Sequence, residues 1–200
     1  CLAVGTSYTV KLIFIQDIDT ETALREAFFQ TTAFISTTGY IITDYTLWIS
    51  PLWLILFLLM LTGSCSGSSG GGLKVMRQLI MLKNTSNSIR NIVKPHAVYV
   101  VRIDGKTISE DVIYNVLAYY FVYLIVFAID SFLITTIGLD FRTSIGIAAS
   151  AIGNIGPGIG YEGPYPIYDN FPLAGKWLVS GLMLIGRLEF FAVLILFTSS

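Results

Sequence analysis

The residues with the clearest chemical potential form two short strings. The first, Ser36-Thr37-Thr38-Gly39-Tyr40, follows an apolar stretch that reads as a short helix over residues 21–35. A cation stripped of its water needs oxygens at fixed spacing. Successive carbonyls of an extended backbone supply them, and glycine reaches the dihedrals required. Threonine hydroxyls can add one more ligand. The same string also fits an ordinary helix end with Gly39 in the left-handed region. The second string is Gly153-Asn154-Ile155-Gly156-Pro157-Gly158-Ile159-Gly160. Its glycines and proline argue against helix. A surface loop would account for it, but its N-terminal flank is apolar, which places the turn at membrane depth. It lacks the G-x-G-x-x-G spacing of a dinucleotide site, and no strand precedes it.

A third string, Gly63-Ser64-Cys65-Ser66-Gly67-Ser68-Ser69-Gly70-Gly71-Gly72, directly follows an apolar helix. Leu73 stands between Gly72 and Lys74, so a nucleotide P-loop fails. On the residues alone, a flexible cytoplasmic linker is the plain reading. Arg187 falls mid-way along the last apolar stretch, where an unpaired guanidinium is costly. Glu189 is two residues on and faces another side of a helix, a poor local partner. Asp130 reads as a structural partner for a neighbouring helix, and His96, beside Pro95, as a surface residue. No metal cluster, catalytic triad or paired-carboxylate site emerges, so nothing points to an enzyme.

The elements that must position these strings are membrane helices. Of the 200 residues, 54% are hydrophobic, 14% aromatic and only 12% charged. Mean hydropathy is +0.72. Soluble domains carry about 25% charged residues, so polar side chains are too few to coat a water-exposed surface. A net charge of −1 excludes a general field for nucleic acid. Two cysteines cannot build a disulfide framework. Three stretches are long enough to cross roughly 30 Å of hydrocarbon: residues 42–62, 112–138 and 173–197. Residues 1–15 read as the stump of a fourth, and the chain as the trailing part of a longer protein. Residues 23–40 and 141–160 are apolar but too short to span, which makes them re-entrant. Irregular backbone at that depth is tolerated only inside protein or beside a water-filled cavity. Seven of the twelve basic residues fall between Leu73 and Lys106, so that loop faces the cytoplasm. Eight of the thirteen acids, Asp17, Asp19, Glu21, Glu26, Asp44, Asp140, Glu162 and Asp169, flank the re-entrant pieces and would concentrate cations at a pore mouth.

The order helix, short re-entrant helix, Gly-containing turn, helix occurs twice, over residues 1–62 and 112–197. With these motifs the chain resembles the TrkH branch of the Trk/Ktr potassium transporters. The glycine-serine run and Gly186-Arg187-Leu188-Glu189 strengthen the resemblance. It implies an all-α integral membrane fold of pore repeats, with the third repeat in residues 1–105 and the fourth in residues 106–200. Thr37, Thr38 and Gly39 would then be one filter wall, and Asn154, Ile155 and Gly156 the next, holding potassium. Pro157 replaces the bulky residue of a potassium channel, which implies a less regular filter. Gly63, Gly67, Gly70, Gly71 and Gly72 would form a gate under the filter, and Arg187 a pore-facing barrier to cations. Helix would resume over residues 73–83, with Lys74, Arg77 and Lys83 leaving the membrane. The resemblance further implies potassium uptake, no cofactor, a homodimer of full-length chains, a cytosolic nucleotide-binding TrkA-type ring on the basic surface, and a multipass location in the bacterial inner membrane. A non-conducting structural or regulatory fragment is the alternative, because two repeats enclose half a ring.

Overall fold

The computed structural model describes residues 19–45, 50–63, 67, 70–94, 99–160 and 171–188. The expected stump over residues 1–15, His96, Glu189 and the end of the last apolar stretch lie outside the described residues. So do Asp17, Glu162 and Asp169, and residues 64–66, 68 and 69 of the glycine-serine run.

Among the described residues six helices follow one another: α1 Thr20–Ile35, α2 Ser50–Thr62, α3 Val75–Val93, α4 Glu110–Thr136, α5 Phe141–Gly153 and α6 Leu173–Leu188. The second expected span is seen as α4, the one helix among the described residues long and apolar enough to cross a membrane. The first expected span is corrected. Among the described residues its helix runs from Ser50 and not from Ile42: residues 41–44 run on from the preceding turn as bend and irregular chain, and Tyr45 has a 3-10 conformation. Pro51 sits in the first turn of α2, where its missing N–H breaks no helical bond.

The all-α expectation also needs one correction. Strands β1 Arg102–Ile103 and β2 Lys106–Thr107 pair antiparallel, Arg102 opposite Thr107 and Ile103 opposite Lys106. Asp104 and Gly105 take positive φ of 48° and 77°, the Asp-Gly pattern of a tight hairpin. Lys83 donates to the carbonyl of Arg102 at 2.7 Å and ties the hairpin to α3.

α5 is the hub: it packs against α4, α6 and α2. Its small residues permit this. Ala148, Ala149 and Ala151 are fully buried, and Gly146 lies against the carbonyl of Ile159 so closely that any Cβ would overlap it. Small residues give backbone-to-backbone approach between membrane helices. Asp140 caps the helix by accepting from the Arg142 amide at 3.1 Å. α1 packs on α2, and Phe34, Tyr45, Leu56 and Met60 join Ile155 and Ile159 in one buried cluster. A second cluster unites Leu73 with α4, α5 and α6.

Candidate functional site

The two short helices α1 and α5 end in the same way. At the end of α1, the Thr37 amide donates to Phe34 O and the Thr38 amide to Ala33 O at 3.0 Å. At the end of α5, the Asn154 amide donates to Ala151 O and the Ile155 amide to Ser150 O at 3.1 Å. Both are the paired closure of a Schellman motif. Thr37 and Asn154 hold equivalent left-handed positions, φ 55° and 52°. Two residues later Gly39 and Gly156 again take positive φ, 72° and 107°. By hydrogen-bond pattern and φ, Thr37, Thr38 and Gly39 therefore correspond in register to Asn154, Ile155 and Gly156. The next amide follows the register too. Gly39 reaches back to Ala33 O at 3.4 Å, and Gly156 donates to Ser150 Oγ at 3.1 Å. Ser150 stands where Ala33 stands in the first unit.

The two turns touch. A Cβ on Gly39 would overlap the carbonyl oxygen of Ile155 and come within 2.9 Å of Pro157 Cδ. Tyr45, buried and edge-on to Phe34 at 5.5 Å, donates its hydroxyl to the carbonyl of Gly158 at 2.6 Å. This contact, 113 residues apart in sequence, fastens the chain leaving the first turn to the chain leaving the second. Thr38 is exposed, and its hydroxyl lies 2.6 Å from that of Ser36. Ile155 is buried in the core cluster and Tyr40 is exposed.

The chain matches the TrkH family, described as a cation transport protein, over residues 8–200. It belongs to the TrkH family. This TrkH-family chain is 34% identical over 178 residues to the Trk system potassium uptake protein TrkI of Halomonas elongata, which covers 88% of the chain and 36% of that protein. With the Trk system potassium uptake protein TrkH of Escherichia coli K12 it is 34% identical over 181 residues, at the same coverages. The potassium transporter TrkH of Vibrio parahaemolyticus, a crystal structure, has TM-score 0.89 and 28% identity over 99% of the chain and 42% of its own. The chain thus spans less than half the length of these relatives. The family is one of transporters and not of enzymes. The likeness supports a membrane transporter fold.

The glycine-serine segment of this TrkH-family chain meets the second turn directly. A Cβ on Gly71 would stand 2.7 Å from Gly153 O and 3.0 Å from Asn154 Nδ2. Gly63, Gly71 and Gly72 are buried, Gly70 is partly buried, and Gly67 is exposed with open space around it. The Asn154 side chain donates from Nδ2 to Met183 O at 3.0 Å, tying the turn to α6. Gly186 lies against Ile152 O, so α6 too is pressed to the end of α5. Arg187, the next residue, is exposed and has no ion-pair partner among the described residues. Asp130 is buried in α4 and is not that partner. Arg77, half-buried, lays its guanidinium 3.9 Å over the ring of Tyr119.

Sequence reasoning had no signal for Tyr45, Ser150 or the role of the Asn154 side chain. Each acts through a contact distant in sequence or through a serine indistinguishable from its neighbours.

Proposed function

We propose that this chain supplies two adjacent walls, the third and fourth of four, of a potassium uptake filter. Thr37, Thr38 and Gly39 form one wall, and Asn154, Ile155 and Gly156 the other. The observation that carries this is the shared geometry of the two helix ends. In both, three successive amides are engaged with the last helical turn. Carbonyls are then the groups such turns can offer a dehydrated cation. Each short helix also aims its C-terminal end, with its partial negative charge, at the turn.

Residues 63–72 act as the gate below the filter, a role supported by the seat of Gly71 against Gly153. Arg187 is the fixed positive charge that ions must pass. Ions enter from the acidic side and leave over the basic segment between Leu73 and Lys106. The relatives named above are potassium uptake proteins of Trk systems, and membership supports the same cargo here. A homodimer of full-length chains, a TrkA-type ring on the basic surface and a multipass place in the bacterial inner membrane belong to the same proposal.

Gly156→Ala, in the full-length gene product, tests the filter assignment. A Cβ at this position meets nothing within 4 Å, so the substitution is limited by its φ of 107° alone. Strain of this kind costs on the order of 1–3 kcal/mol. The protein should fold, and its ratio of potassium to sodium uptake should fall. A folded variant with an unchanged ratio would remove the second turn from the filter.

A further inference from the structure

Gln78 stands in the first turns of α3, and its Nε2 donates to two carbonyl oxygens, Thr62 at 3.0 Å and Leu73 at 3.2 Å. Thr62 is the last residue of α2, and Leu73 precedes Lys74, the N-cap of α3. An amide NH₂ carries two protons, so one side chain serves both acceptors at once. These two carbonyls mark the entrance and the exit of the glycine-serine segment. Backbone contact closes the same place. A Cβ on Gly63 would stand 2.9 Å from Gly71 O and 3.0 Å from Leu73 N. The segment therefore leaves and returns through one neck, in the manner of an Ω-loop.

We propose that Gln78 is the positioning residue of this loop, a staple that holds the neck shut and keeps Gly71 seated on the end of α5. The carbonyl of Thr62 belongs to the last turn of a helix and has no acceptor duty inside it. Leaving it bare in an apolar setting is costly, so the Gln78 amide is held firmly. Arg77, beside it, anchors the same turn of α3 on the ring of Tyr119 in α4. The staple is thus fixed to a spanning helix, and its release frees the loop without moving the filter. The consequence for ion flux rests on the gate reading above; the staple itself does not.

Cys65 lies between Gly63 and Gly72 in the sequence and provides a reporter. In the full-length gene product, with every other cysteine replaced by Ser, Gln78→Met keeps the side-chain length and removes both donors. Cys65 should then react about tenfold faster with a maleimide applied from the cytoplasmic side, as two lost hydrogen bonds predict. Potassium flux in proteoliposomes should rise with potassium-over-sodium selectivity unchanged. A faster Cys65 with unchanged flux would support the staple and overturn the gate. An unchanged Cys65 rate with a lower melting temperature would overturn the staple and leave Gln78 a structural residue. Should Gln78→Met not reach the membrane, Gln78→Asn carries the same measurements, being one methylene too short to serve both carbonyls.

Discussion

Gly39 and Gly156 hold equivalent positions yet tolerate change differently. At Gly156 only the backbone objects, whereas at Gly39 a Cβ collides with the carbonyl of Ile155. The first turn is built against the second, and Gly39 lets the two approach. Tyr45 provides the other link between them, from a position the sequence assigns to a membrane span. Tyr45→Phe removes one hydroxyl and strands the Gly158 carbonyl in a buried setting. The expected loss is about 1–3 kcal/mol of stability. If the link positions the filter, potassium-over-sodium selectivity should fall along with the melting temperature in detergent. A lower melting temperature with unaltered selectivity would confine Tyr45 to packing.

At the scale of elements, the sequence located α1, α4 and α5 to within a few residues because their apolar runs are long or end at glycine. α2 was misplaced at its start. Composition cannot distinguish Ile42 to Asp44 from helix; the chain there is tied by the bond of Tyr45 to Gly158, a contact 113 residues apart that no local pattern announces. The hairpin was missed although Asp104-Gly105 carries its signal, since strands of two residues give no periodicity. The two helix-ending turns, proposed above as filter walls, were legible from their glycines. The clamp of Gln78 on the loop was not, because a lone Gln in a helix has no pattern. That clamp makes loop removal a sharp test. Gly63 and Gly71 already touch, so deleting residues 64–70 asks for only a small backbone adjustment. The variant should fold, reach the membrane and pass potassium faster than the native protein. A folded deletion variant that conducts at the native rate would show that the loop is no barrier.

The whole molecule leaves large apolar side chains uncovered. Phe121 and Phe132 on α4 and Trp177 on α6 are each about two-thirds exposed or more, at 67%, 68% and 74%. Lipid or further pore repeats are the surroundings such faces fit. Arg187 is exposed as well, with no ion-pair partner among the described residues. Its neighbours one turn back, Met183 and Leu184, are apolar, and Met183 gives its carbonyl to Asn154. Gly186 holds α6 against the end of α5, which puts the arginine one residue beyond the contact with the turn that follows α5. A cation there repels passing cations at a strength set by water access. An arginine in a buried pair would behave differently, since its removal strands the partner charge at roughly 3–5 kcal/mol. Replacing an exposed, unpaired side chain changes stability by only about 0.5 kcal/mol. Arg187→Ala should therefore raise potassium flux in proteoliposomes while the melting temperature in detergent stays close to the native value. Lower flux together with a large loss of stability would assign Arg187 to the architecture of the full-length pore and take it out of the ion path.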